Sequence, residues 1–126
     1  MAKSIGKVNT CVFISGRGSN LKSLIKNSKN KNFPTKIVLV ISDQPKAKGL
    51  KYAKKNKIPF KILNFKNKKI FEKRALNELK KMEVKLVCLA GFMKILSKKF
   101  IKDFKYKILN IHPSLLPKYK GLNTHQ

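Results

Sequence analysis

Asn110 and His112 stand two positions apart in the run Ile108-Leu109-Asn110-Ile111-His112-Pro113. In an extended strand that spacing puts an amide and an imidazole on one side with Ile108, and leaves Leu109 and Ile111 on the other. Pro113 disfavours helix at His112 and ends strand pairing, so the pair falls at a strand's carboxyl end. An imidazole titrates at about pH 6.5 and can hold or deliver a proton at cellular pH. An Asn amide can donate to a developing oxyanion, a contribution of about 3 kcal/mol in comparable sites. Such a pair suits direct attack by a substrate amine on a carbonyl, with no covalent intermediate. A histidine that merely closes a strand in a turn is the plain alternative. The companion Asn and the adjoining Pro-Ser-Leu-Leu-Pro-Lys-Tyr-Lys-Gly stretch weigh against it.

A second candidate is Ser15-Gly16-Arg17-Gly18-Ser19-Asn20. Its two glycines permit tight or positive-φ turns and let a ligand approach the backbone. Ser19 and Asn20 are good helix N-caps, and a helix start offers unpaired N–H groups carrying roughly +0.5 of a charge. Together they make a phosphate seat, with Arg17 as a counter-charge. The loop is neither a full dinucleotide fingerprint nor a Walker loop. Alone, it is also compatible with an ordinary glycine-containing turn.

The elements that must position these residues follow from periodicity. Val12-Phe13-Ile14, Ile37 to Ser42, Ile58 to Leu63, Leu86 to Ala90 and Ile108 to Ile111 are apolar runs that predict five strands. Between them, Leu21, Leu24 and Ile25 mark one helix, and Lys46 to Asn56 a second with Leu50 and Ala53 inward. Phe71, Ala75, Leu76, Leu79 and Met82 mark a third, longer helix. Ser97 predicts the cap of a short fourth helix carrying Phe100, Ile101 and Phe104. Alternating strands and helices imply an α/β fold of Rossmann-like type, a mainly parallel sheet with helices on both faces, in one domain over residues 1–126. Such sheets take ligands beyond the carboxyl ends of their strands.

Composition limits the partners. The chain has 31 Lys and Arg against 5 Asp and Glu, a net charge of +26. That would suit a phosphate backbone, but only Arg17 and Arg74 are arginines, whereas base-reading surfaces favour the planar guanidinium. The lysines are spread over every helix and loop, so a nucleic-acid role is disfavoured and a solvated, compositionally biased surface is expected. No apolar run approaches the roughly 20 residues needed to cross a bilayer, and the opening residues do not make a signal peptide. Cys11 and Cys88 lie inside apolar strands without metal-ligand spacing. Two reduced, buried thiols in a cytoplasmic protein without a metal are expected.

Three segments in order, SGRGSN after the first strand, LAGFMKIL after the fourth and NIHPSLLPKYKGLNTH after the fifth, resemble the glycinamide ribonucleotide formyltransferase family from about Val12 onward. The resemblance implies a formyltransferase fold. It implies transfer of a formyl group from 10-formyltetrahydrofolate, as co-substrate, to the amine of 5-phosphoribosylglycinamide in purine biosynthesis. It implies that Gly18, Ser19 and Asn20 hold the ribonucleotide phosphate. Met93, Lys94, Ile95 and Leu96 would line the folate pocket, and Lys68 falls where a basic residue often stands near the folate. Asn110 would bind the formyl oxygen, and His112 would donate the proton to the tetrahedral intermediate. The family's aspartate partner of this histidine, its later strands and its long C-terminal helix have no counterpart before Gln126. The chain is therefore expected to be the N-terminal part of a longer parent and inactive alone.

Three other readings stand beside this one. Methionyl-tRNA formyltransferase shares the fold and chemistry, but its strand-end sequence is usually less like NIHPS. Formyltetrahydrofolate hydrolase shares much of that region but normally carries a regulatory segment longer than Met1 to Asn9. A basic α/β module for RNA is the non-enzymatic reading. The SGRGSN loop, suited to a small phosphate, favours the ribonucleotide enzyme.

Overall fold

A computed structural model of the chain describes residues 6–111. His112, Pro113 and the rest of the NIHPS segment lie outside the described residues. Five strands form one wholly parallel sheet: β1 (Val8–Ile14), β2 (Thr35–Ser42), β3 (Phe60–Ile62), β4 (Leu86–Leu89) and β5 (Lys107–Asn110), in the order β3-β2-β1-β4-β5. Four helices connect them: α1 (Ser19–Ser28), α2 (Leu50–Lys55), α3 (Lys68–Lys81) and α4 (Lys98–Phe104). All five expected strands and all four helices are present.

The sheet is covered on both sides, as its aliphatic strands require. Cys11 and Phe13 of β1, Leu39 and Ile41 of β2 and Val87 of β4 pack with Phe71, Ala75 and Leu79 of α3 and Phe100 and Phe104 of α4. Alternate residues Val12, Ile14, Val40 and Cys88 meet Leu21, Leu24 and Ile25 of α1 and Leu50 and Ala53 of α2 on the opposite face. The period of two along each strand assigns one residue to each layer in turn.

Cys11 and Cys88 are free and buried, as expected, and they lie in opposite layers although their strands pair. Burial pushes the Cys88 thiol up to about 11. Cys11 is raised well above its ordinary value, chiefly by burial and further by Cys88, against a lowering hydrogen bond from the Ile41 backbone.

Two local expectations change. The second helix begins at Leu50, later than Lys46, because the preceding stretch serves a tertiary contact. The Gly49 N–H donates to the Gly16 carbonyl at 2.9 Å, and Ala47 and Leu50 are held in single turns by Gln44 and Ala47 carbonyls. The cap of α1 is Gly18, not Ser19 or Asn20. Gly18 has φ +80°, and Ser19 is already helical. A β-carbon on Gly18 would lie 2.3 Å from the Gly49 Cα, so this crossing of two backbones admits only glycine.

Candidate active site

β1 and β4 are adjacent, yet the chain leaves β1 toward β2 on one side and reaches β4 on the other. This is the switch point of a doubly wound sheet, where the loops beyond the strand ends part and leave a crevice. The glycine turn after β1 and the Ala90-Gly91 turn after β4 form its walls. A cleft of about 240 Å³ is lined by Ser15, Gly16, Arg17, Gly18, Ser19, Asn20, Ala90, Gly91 and Met93. Beside it, a cleft of about 510 Å³ adds Asp43, Lys46, Lys48 and Lys94 to Ser15, Arg17 and Met93. Asp43 is the acidic residue after β2, but its Oδ1 accepts the Ser15 hydroxyl at 2.7 Å and its Oδ2 lies 3.4 Å from the Gln44 amide nitrogen.

The start of α1 differs from those of α3 and α4. Asn67 caps α3 by accepting from the Ile70 N–H, and Ser97 caps α4 by accepting from the Phe100 N–H, as expected for Ser97. The α1 start has no side-chain cap, although Ser19 and Asn20 stand there. The first helical bond is donated by Lys22 to the Gly18 carbonyl. The earlier N–H groups of the first turn, which have no acceptor inside a helix, are thus left at a cleft wall with the positive end of the helix dipole.

The candidate oxyanion donor sits on the same edge of the sheet. Phe13 pairs with Leu89, and Leu89 pairs with Asn110, so the three form one row across β1, β4 and β5. At the usual strand spacing, Asn110 Cα lies about 10 Å from Phe13 Cα, where the chain is about to enter the glycine turn. Ile108 packs into the layer of α3 and α4, and Ile111 into that of α1 and α2. Asn110 is therefore on the Ile108 side, as its parity requires. His112 falls outside the described residues.

The segment after β4 is held from beneath. Phe92 packs edge-on against Phe13 at 5.3 Å between ring centroids and stacks on Phe71 at 5.9 Å. The Met93 N–H donates to Ser15 Oγ at 2.9 Å. Leu96 turns inward onto the core. Met93 and Ile95 remain 76% and 81% exposed. Lys94 lies over the Phe65 ring, 5.6 Å from its centroid. Lys68 is the first residue of α3 and lines neither cleft.

The structure thus brings together Gly18, Ser19, Asn20, Met93 and Lys94 around the clefts, whereas Lys68, Ile95, Leu96 and Asn110 line neither, Asn110 standing two strands from β1 at the same end of the sheet. Sequence reasoning placed Ser15 in the glycine loop without a role of its own and passed over Gly49 and Glu72. The hydroxyl beside Gly16 was the one available signal for Ser15; Gly49 and Glu72 act through contacts distant in sequence. Among the described residues no group of three His, Cys, Asp or Glu side chains could hold a metal, and no helix is long and apolar enough to cross a membrane.

A parallel, doubly wound sheet with a glycine turn at its switch point defines a Rossmann-like α/β protein. The family model described as formyl transferase matches residues 8–126, and the chain belongs to that family. Phosphoribosylglycinamide formyltransferase of Haemophilus influenzae is 47% identical over 118 residues, covering 91% of this chain and 56% of that protein. The trifunctional purine biosynthetic protein adenosine-3 of Gallus gallus is 43% identical over 123 residues, 95% of this chain and 12% of that protein. The crystal structure of phosphoribosylglycinamide formyltransferase from Brucella melitensis aligns with a TM-score of 0.79 at 41% identity, over 95% of this chain and 64% of that one. The chain therefore spans little more than half the length of its single-activity relative from Haemophilus influenzae.

Proposed function

We propose that this chain, as one formyltransferase N-terminal domain over residues 1–126, supplies the nucleotide seat and part of the folate and catalytic groups of a phosphoribosylglycinamide formyltransferase. The observation that supports the reading is the uncapped α1 start at the switch point, with Asn110 two strands away at the same end of the sheet. The backbone N–H groups of Gly18, Ser19 and Asn20 receive the phosphate of 5-phosphoribosylglycinamide. Its amine nitrogen then points toward the strand ends of β4 and β5. The exposed apolar side chains of Met93 and Ile95, with the backbone of Lys94 and Leu96, suit the flat rings of 10-formyltetrahydrofolate, and Lys68 suits its anionic tail.

The amine attacks the formyl carbon, forming a carbon–nitrogen bond and a tetrahedral oxyanion. The Asn110 amide donates to that oxygen. His112 supplies a proton to the intermediate. The bond from carbon to the folate nitrogen breaks with the electron pair leaving on that nitrogen, and the amine's surplus proton restores the acid. No metal enters these steps. The protein works in the cytoplasm on small molecules, without a nucleic-acid partner.

The test is formyl transfer by the natural full-length protein. Wild type should formylate the ribonucleotide and leave methionyl-tRNA untouched, and His112→Ala should lower kcat by about 10²–10⁴-fold. Full activity in His112→Ala, or preference for the tRNA, would overturn the assignment.

A further inference from the structure

Only five residues of the chain are acidic, and just two of them, Asp43 (4% exposed) and Glu72 (9% exposed), are buried. Taking a carboxylate out of water is costly unless strong hydrogen bonds replace the water. In a chain with 31 cations the obvious compensation is an ion pair, yet the pairs among the described residues are Lys81–Glu78 and Lys99–Asp103, both at the surface. Asp43 and Glu72 instead bind the two ends of one segment. Asp43 Oδ1 accepts the Ser15 hydroxyl, whose oxygen then accepts the Met93 N–H. Glu72 accepts twice from one residue, from the Ser97 N–H at Oε2 (2.7 Å) and from the Ser97 hydroxyl at Oε1 (2.6 Å). That same hydroxyl oxygen accepts the Phe100 N–H and starts α4.

We propose that Asp43 and Glu72 are positioning residues that clamp the Met93–Ser97 segment at both ends and so present Met93 and Ile95 to the co-substrate. Met93 and Ile95 are too exposed to fix their own backbone by packing, so beside Leu96 on the core and Lys94 over Phe65 the segment is held by the hydrogen bonds at its two ends. The carboxylates act through Ser15 and Ser97 and touch no reacting atom. Asp43 also ties the glycine turn to this segment, because Ser15 stands in that turn and accepts from Met93, whereas Glu72 acts on the Ser97 end alone.

The clamp itself stands on these contacts; its purpose rests on the function proposed above, and the experiment separates the two. In the natural full-length protein, residue-resolved amide exchange is measured by NMR, and KM is measured for each substrate. Glu72→Leu should speed exchange at Ser97 and Phe100 by tenfold or more with β1 and β4 unchanged. It should raise the folate KM about tenfold, with kcat and the ribonucleotide KM within twofold. Glu72→Gln, which keeps an acceptor oxygen, should restore most of both, and Glu83→Gln, an exposed charge change, should alter neither. Ser15→Ala should speed exchange at Met93 in the same way and carries the exchange test if Glu72→Leu does not fold. Unchanged exchange at Met93 and Ser97, or both KM values rising together, overturns the clamp. If wild type transfers no formyl group, the functional reading fails while the exchange measurement still decides the clamp.

Discussion

Replacing Gly49 and Gly18 by alanine, separately, divides the cost of the glycine crossing into two parts. At Gly49 the backbone is ordinary, with φ −62°, so alanine carries no conformational strain. Its β-carbon would lie 2.8 Å from the Gly18 Cα and 2.9 Å from Cδ1 of the fully buried Ile14. Carbon atoms prefer about 3.5–4.0 Å, so both neighbours must yield. Overpacking of this kind costs about 1–3 kcal/mol, and the stiffer unfolded chain returns about 0.4–1 kcal/mol. A net loss of about 1–2 kcal/mol is expected. At Gly18 alanine meets the Gly49 Cα at 2.3 Å and must also adopt φ +80°, which adds about 1–2 kcal/mol. The total is then about 2–4 kcal/mol. Urea unfolding followed by far-ultraviolet circular dichroism measures both, and the excess of Gly18→Ala over Gly49→Ala reports the strain together with the closer contact at Gly18. Because the two glycines touch, the double variant should not be additive. A Gly49→Ala midpoint equal to that of wild type would refute the crossing as a steric constraint.

Asn110→Ala should lower kcat about 10²–10³-fold in a formyl-transfer assay, with the ribonucleotide KM little changed; an equal loss through KM alone would remove the oxyanion role. The Cys88 thiol is raised in the folded state from 9.0 to about 11 by burial. Its contribution to stability is therefore complete below pH 9 and falls as pH rises toward 11, at up to about 1.4 kcal/mol per pH unit. Urea titrations at pH 8, 9 and 10 should show a steeper decline in wild type than in Cys88→Ala, which keeps the decline that the buried Cys11 contributes. The net charge of +26 repels itself in the compact state. Raising sodium chloride from about 10 to about 150 mM shortens screening from about 30 to 8 Å, so the urea midpoint should rise; a fall would mean that attractive pairs dominate.

The sheet was legible because parallel strands covered on both faces must be apolar throughout, and Ile37 to Ser42 or Leu86 to Ala90 leave no other period to fit. Ser97 was legible as a cap because its partner is three residues away. The errors share a cause. The α1 cap fell to Gly18 rather than Ser19 or Asn20, and α2 began at Leu50, because Gly18 and Gly49 meet across the fold and Gly49 donates to Gly16. No local pattern records such a meeting. Glu72 reads as a solvent-facing helix residue until α4 is placed beside α3. The parity of Asn110 followed from the strand alone. Its nearness to the glycine turn did not, since that depends on β4 and β5 lining up beside β1.

The central place of β1 has a consequence for synthesis on the ribosome. Thr10 pairs with Ile37 on one flank and with Leu86 on the other. The first partner emerges soon after β1, by the crossover through α1, while the second arrives only after α2, β3 and α3 have been made. Until then a strand that ends in the apolar run of residues 11–14 carries one bare flank, open to wrong pairing with other nascent chains. The crevice between β1 and β4 has a single wall throughout that interval. On the function proposed above, the phosphate seat at the start of α1 stands on that first wall, and the co-substrate side of the crevice is added only when the second flank closes.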